Sequence, residues 1–143
     1  MPSNQICVLF RHPSRNIRRR PLREFLTDLA HRAAPGLTVN CLITTDGELR
    51  DLNRKFRRKD YATDVLSFTG EPSEIAISLD RAAAQAAEYG HSTEEEVRIL
   101  MLHAMLHLTG MDHETDSGDM ARAEARWRKR LGLPAALVER ARV

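Results

Sequence analysis

The chain has 143 residues, 42% of them hydrophobic and 29% charged, with a net charge of +2. That is the size and balance of one globular domain with a sizeable core, and it excludes a disordered or collagenous chain. No apolar run has the length of a membrane span, and the N-terminal segment runs from a short apolar stretch into basic residues, the reverse of a secretory signal, so a cytoplasmic protein is expected.

In chain order, Ile6 to Phe10 is an apolar run of strand length. Pro21 suits the first turn of a helix running to about Ala33, with Leu22, Phe25, Leu26 and Leu29 on one face and Pro35-Gly36 as its stop. Leu37 to Thr45 alternates as a strand through Val39, Cys41 and Ile43. Thr45-Asp46 opens a helix through about Phe56, with Leu49, Leu52 and Phe56 on one face. Val65–Phe68 and Glu74–Ile77 read as two more strands, joined across Gly70 and Pro72. Leu79 to Tyr89 is an alanine-rich helix stopped by Gly90.

Ser92-Thr93-Glu94-Glu95 has the form of a capping box. The helix it opens is apolar on nearly every side from Val97 to Leu108, so it should be the buried central helix, with Gly110 just past its end. A last, basic helix covers roughly Asp116 to Leu131, closed by Gly132 and Pro134. Strands and helices interleave over a single domain, residues 1–143. The expected class is α+β, an α/β sandwich with a small mixed sheet of about four strands and about five helices. Cys7 and Cys41 share no pairing motif and read as two buried free thiols.

The central helix carries the chemistry. His103 and His107 are four apart and project from one face, Gly110 permits a sharp turn, and His113 follows three residues later. Three imidazoles with an open fourth position make a catalytic zinc site, and nickel, copper or iron accept the same ligands. With six histidines in 143 positions, such a triple arises from composition in roughly one chain in a hundred. Unpaired imidazoles on an apolar helix would also be costly. One zinc ion, bound by His103, His107 and His113, is therefore expected. His12, His31 and His91 have no partners at ligand spacing and read as surface or loop residues.

The frame His-x-x-x-His-x-x-Gly-x-x-His is similar to that of the metzincin peptidases, but Ala104 stands where those enzymes carry their general-base Glu. A metallopeptidase is thus one competing reading. Another is a non-enzymatic RNA-binding assembly factor whose zinc is closed by a fourth protein ligand. Of 22 basic residues 19 are arginine, and two clusters stand out: Arg11, Arg15, Arg18, Arg19, Arg20 and Arg23, then Arg54, Lys55, Arg57, Arg58 and Lys59. The arginine fork fits phosphate oxygens, so a polyanionic partner such as nucleic acid is expected, with Arg54, Lys55, Arg58 and Lys59 as candidate backbone contacts. Asp112, beside a ligand, suits either orienting an imidazole through a hydrogen bond or capping the turn, and Asp64 and Ser67 suit turn or cap positions.

Three stretches together resemble the YbeY family of bacterial rRNA-maturation endoribonucleases. They are His103-Ala-Met-Leu-His-Leu-Thr-Gly-Met-Asp-His113, then Leu52 to Asp60 with Thr63 to Phe68, then Ile75 to Arg81 with Glu88 to Ser92. Ala104 replaces a usual Gly, Met111 a usual aromatic, Phe56 a common Tyr, and Ser73-Glu74 a frequent Gly-Asp. The resemblance implies a zinc-dependent endoribonuclease (a hydrolase of phosphodiester bonds) that favours single-stranded RNA. It implies work in 16S rRNA 3′ end maturation and ribosome quality control. Implied partners are small-subunit rRNA, the small ribosomal subunit, ribosomal protein S11 and the Era GTPase. It also places a catalytic role on Arg57.

Overall fold

A computed structural model describes residues 4–14, 16–61, 63–112 and 114–134. Among these, the order is β1 (Gln5–Phe10), α1 (Arg19–Ala33), β2 (Thr38–Thr44), α2 (Asp46–Arg57), β3 (Val65–Phe68), β4 (Ser73–Ser78), α3 (Leu79–Tyr89), α4 (Thr93–Leu108) and α5 (Asp119–Leu131). The expected α+β class, with a four-stranded mixed sheet and five helices, is what the structure has. Strand order is β1-β2-β4-β3. The first three are mutually parallel, and β3 runs antiparallel to β4 at the edge. No helix is long and apolar enough to cross a membrane among the described residues.

Strand alternation divides the sheet into two faces. Ile6, Val8, Val39, Cys41, Ile43, Ile75 and Ile77 turn to one face and join residues of α1, α3, α4 and α5 in the main core. Leu66 and Ala76 turn to the other, where Leu49 and Leu52 of α2 cover them with Phe68. Among the described residues nothing covers the β1 half of that second face, which corrects one expectation: Cys41 is buried but Cys7, which points out of that half, is exposed. Burial pushes the Cys41 thiol up to about 12, helped by its neighbour Cys7.

Helix α4 is the centre of the main core. Ile99, Leu100, Met101, Leu102 and Met105 are fully buried, each side chain contributing about 1.5–3 kcal/mol. The predicted capping box is present: the Ser92 hydroxyl accepts from the Glu95 N–H at 3.0 Å, and the Glu95 carboxylate accepts from the Ser92 N–H at 3.0 Å. At the other end Gly110, at φ 103°, lets its own N–H reach the His107 carbonyl while the Met111 N–H reaches that of Leu106. This is a Schellman turn, and it directs the chain back along the helix end. Helix α1 begins at Arg19 and holds Pro21 within its first turn, as the sequence predicts, whereas one helix start differs from the sequence expectation. Helix α5 begins at Asp119, because the Asp116 carboxylate accepts from the N–H groups of Gly118 and Met120 and so caps the helix from outside.

The C-terminal ends of the parallel strands are tied by one polar network. Asp80 accepts from His12 Nε2 and from the Asp46 N–H, both at 2.8 Å. Asp46 in turn accepts from Ser78 Oγ and Arg81 Nε, both at 3.0 Å. The bond from His12, then that from the Asp46 backbone, hold the Asp80 carboxyl below its ordinary range. A depressed folded-state value stabilises the fold above the unfolded value and loses that contribution as pH falls through the folded one. Asp80→Asn should therefore lower the urea midpoint at pH 7, and the gap from wild type should close as pH drops below about 4. Parallel urea titrations at pH 7 and pH 3 check this; a gap of equal size at both would contradict it.

Candidate functional site

The C-terminal half of α4 forms the floor of a cleft of about 790 Å³. The end of α2 and the following loop supply one wall, through Asn53, Arg57, Lys59 and Tyr61. Strand β3 supplies another, from Asp64 to Ser67, and Tyr89 at the end of α3 joins the rim. The turn after Gly110 closes the cleft with Met111, Asp112 and Glu114.

On the floor, His103 Nε2 and His107 Nε2 face each other at 3.1 Å, their rings edge to face with centroids 4.7 Å apart. The helical i, i+4 spacing produces this convergence directly. Behind His103, its Nδ1 meets Glu124 Oε2 of α5 at 3.1 Å. Glu124 is wholly buried, and among the described residues its Oε1 meets no hydrogen-bond partner. Ala104, where a metallopeptidase frame would place a carboxylate, is buried and apolar.

This donor set fits a transition metal. Two neutral ring nitrogens aimed at one point repel unless a proton or a cation lies between them. Adjacent ligands of a tetrahedral ion with bonds of about 2.0–2.1 Å lie about 3.3 Å apart, close to the observed separation. A buried carboxylate on the remote ring nitrogen orients the imidazole and raises its basicity, the usual arrangement behind a metal-bound histidine. The buried Glu124 carboxylate adds negative charge in a dry setting, which a bound cation would balance. His113 lies outside the described residues. Among the described residues, no group of three ligating side chains comes together.

Arg57 lines the cleft and is pre-positioned. Its Nη2 donates to the Ser67 carbonyl at 3.1 Å, and its guanidinium lies 5.5 Å from the Phe68 ring centroid. Lys59 also lines the cleft, whereas Arg54, Lys55 and Arg58 do not. Arg54 pairs with Asp51 at 3.0 Å, Lys55 lies over Phe56, and Arg58 is the left-handed cap of α2. The N-terminal arginines lie away from the cleft lining: Arg18 pairs with Glu94, Arg20 with Glu24, and Arg19 and Arg23 both lie over Phe10. Arg15 lies outside the described residues.

Asp112 lines the cleft, and its Oδ1 accepts from the Glu114 N–H at 3.0 Å, capping the turn. Asp64 has a local bond to the Val65 N–H and a longer-range one from Gln85 Nε2. Cys7 and Cys41 are both absent from the cleft lining, so neither stands as a fourth ligand there. His12 and His91 occupy loops, as expected, but each has an acid partner; His91 Nε2 meets the buried Glu96 at 2.6 Å.

Glu124 escaped the sequence reading, although a signal was present. Met120, Ala123, Glu124, Trp127 and Leu131 share one face of α5 at helical spacing, so Glu124 is a carboxylate within an apolar stripe. Tyr61 and Tyr89 were missed too, and nothing in their local sequence announces the cleft.

The sequence model of the family described as Endoribonuclease YbeY matches residues 12–132. An Endoribonuclease YbeY of Solibacter usitatus is 54% identical over 136 residues, covering 93% of this chain and 92% of that protein. One from Koribacter versatilis is 52% identical over 120 residues, covering 81% and 79%. In three dimensions the chain is similar to the solution structure of a Thermotoga maritima protein, at TM-score 0.62 and 25% identity, over 87% of this chain and 89% of that one. With the family pattern running through the cleft floor, the arginine wall and most of the sheet, this chain belongs to the YbeY endoribonuclease family.

Proposed function

We propose that this protein is a zinc-dependent endoribonuclease that cuts single-stranded RNA in the cleft beneath Arg57. Its work would be 16S rRNA 3′ end maturation and ribosome quality control, with the small ribosomal subunit, ribosomal protein S11 and the Era GTPase as partners. The observation that carries the reading is the facing Nε2 pair of His103 and His107, backed by the buried Glu124 and overlooked by a fixed arginine. His103 and His107 would hold the ion, with His113 as the third ligand. Zinc at such a site supplies a Lewis acid and a bound water whose pKa is about 7.

The chain's own residues do the rest. Arg57 presents a planar cation to the phosphodiester, and its two anchors on β3 hold it there before substrate arrives. A donor fixed in advance favours the transition state, where charge accumulates on the phosphate, more than the ground state. Lys59 adds a point charge on the same wall. Glu124 holds the His103 ring in orientation and keeps its proton on Nδ1.

Substitutions on the floor and the wall of the cleft test this reading. Purified wild-type protein should carry one metal ion per chain by elemental analysis, and His107→Ala should lose it. Glu124→Gln should keep the fold but weaken metal affinity by about 10–100-fold, measured by competition with a chelator. Arg57→Ala should retain metal and fold while single-turnover cleavage of a labelled single-stranded RNA falls by roughly a hundredfold to a thousandfold. Arg57→Lys should recover part of that rate, and Arg58→Ala should lose far less. Cleavage of a mixed peptide library in place of RNA would sink the proposal.

A further inference from the structure

The chain contains seven aromatic side chains, two of them tyrosines. Both tyrosines line the cleft, and both are well exposed, Tyr61 at 54% and Tyr89 at 48%. Neither ring is left there by a loose backbone. The Tyr61 carbonyl accepts from Asn53 Nδ2 at 3.0 Å, and Asn53 is buried in α2. Tyr89 ends α3, and one turn earlier on the same face Gln85 donates to Asp64 at the start of β3. The loop and the helix end are thus pinned against the walls that also carry Arg57. Exposing apolar ring area to water is unfavourable, so two rings held at the mouth of a polar cleft, near the wall that presents Arg57 and Lys59, call for a flat apolar ligand beside an anionic one. A nucleotide strand has both parts: a base with a π-face and a phosphate.

We infer that Tyr61 and Tyr89 are base-stacking residues of the cleft, which select unpaired nucleotides by taking bases that a duplex would keep stacked on their neighbours. The inference rests on the reading of this cleft as an RNA site. Every base has a π-face, so the two rings favour single strands without imposing a sequence. A tyrosine ring also loses little conformational freedom on binding, since it has two side-chain torsions.

The test uses the full-length, metal-loaded protein and a short single-stranded RNA carrying 2-aminopurine on either side of the cleaved bond. Tyr61→Leu and Tyr89→Leu should each raise the half-saturating RNA concentration about tenfold, the scale of one lost stacking contact. They should also remove the fluorescence quenching that binding produces. The single-turnover rate at saturation should stay within about threefold, because the rings bind and do not react. Tyr61→Phe and Tyr89→Phe should behave as wild type, which separates the ring from its hydroxyl. An abasic nucleotide opposite each ring should weaken wild-type binding as the Leu substitution does, and should cost the Leu variant nothing more. Leu variants that bind and quench as wild type does, or abasic and Leu losses that simply add, would overturn the stacking role while leaving RNA cleavage in place. A wild-type protein that neither binds nor cuts the RNA would overturn both the stacking role and the cleft reading beneath it.

Discussion

Burial of α4 on nearly every side is the constraint from which the rest of the structure follows. A helix packed among α1, α3, α5 and the sheet contributes more buried residues to the main core than any other element. The same enclosure demands a partner for every polar group it carries, since an unpaired buried group costs free energy comparable to a lost hydrogen bond. Glu96 meets this demand through His91, and His103 through Glu124. His107 lies at the margin, half-buried, where the helix opens into the cleft. The candidate metal site therefore sits where the core's demand for pairing meets the solvent-facing floor.

The walls follow from the sheet order. Because β3 turns back antiparallel at the edge, its start and end both lie beside the exposed side of α4. Helix α2 covers the opposite face of the same edge strands, so its C-terminal turn reaches round the edge and delivers Arg57 over Phe68. One short strand thus separates the apolar patch under α2 from the polar cleft above α4. It supplies Leu66 to the first and Ser67 to the second.

Local signals were legible in the sequence, and long-range ones were not. The capping box at Ser92, the Gly110 turn and the four-residue spacing of His103 and His107 are short-range features, and the structure reproduces each. The antiparallel direction of β3 and the placing of α2 on the second face depend on pairings between distant segments, which no window of sequence contains. Cys7 shows the limit well. Its apolar strand resembles a buried one, but among the described residues no helix covers that half of the face. Glu124 stands between these cases. Its place in an apolar stripe is visible, but its partner on α4 is 21 residues away.

The register of β3 has one further consequence. The bond from the Ser78 N–H to the Asp64 carbonyl makes 64 and 78 a bonded pair, so in an antiparallel ladder Val65 and Ser67 turn their backbone groups away from β4. An open edge of this kind is a template for another extended chain. Here the Asp64 carboxylate takes the Val65 N–H, and Arg57 takes the Ser67 carbonyl. The arginine that faces the cleft is therefore also a guard on the sheet's edge. Removing it uncovers a carbonyl on which a second molecule could begin to pair, so activity lost at position 57 has its meaning only in protein shown to remain monodisperse.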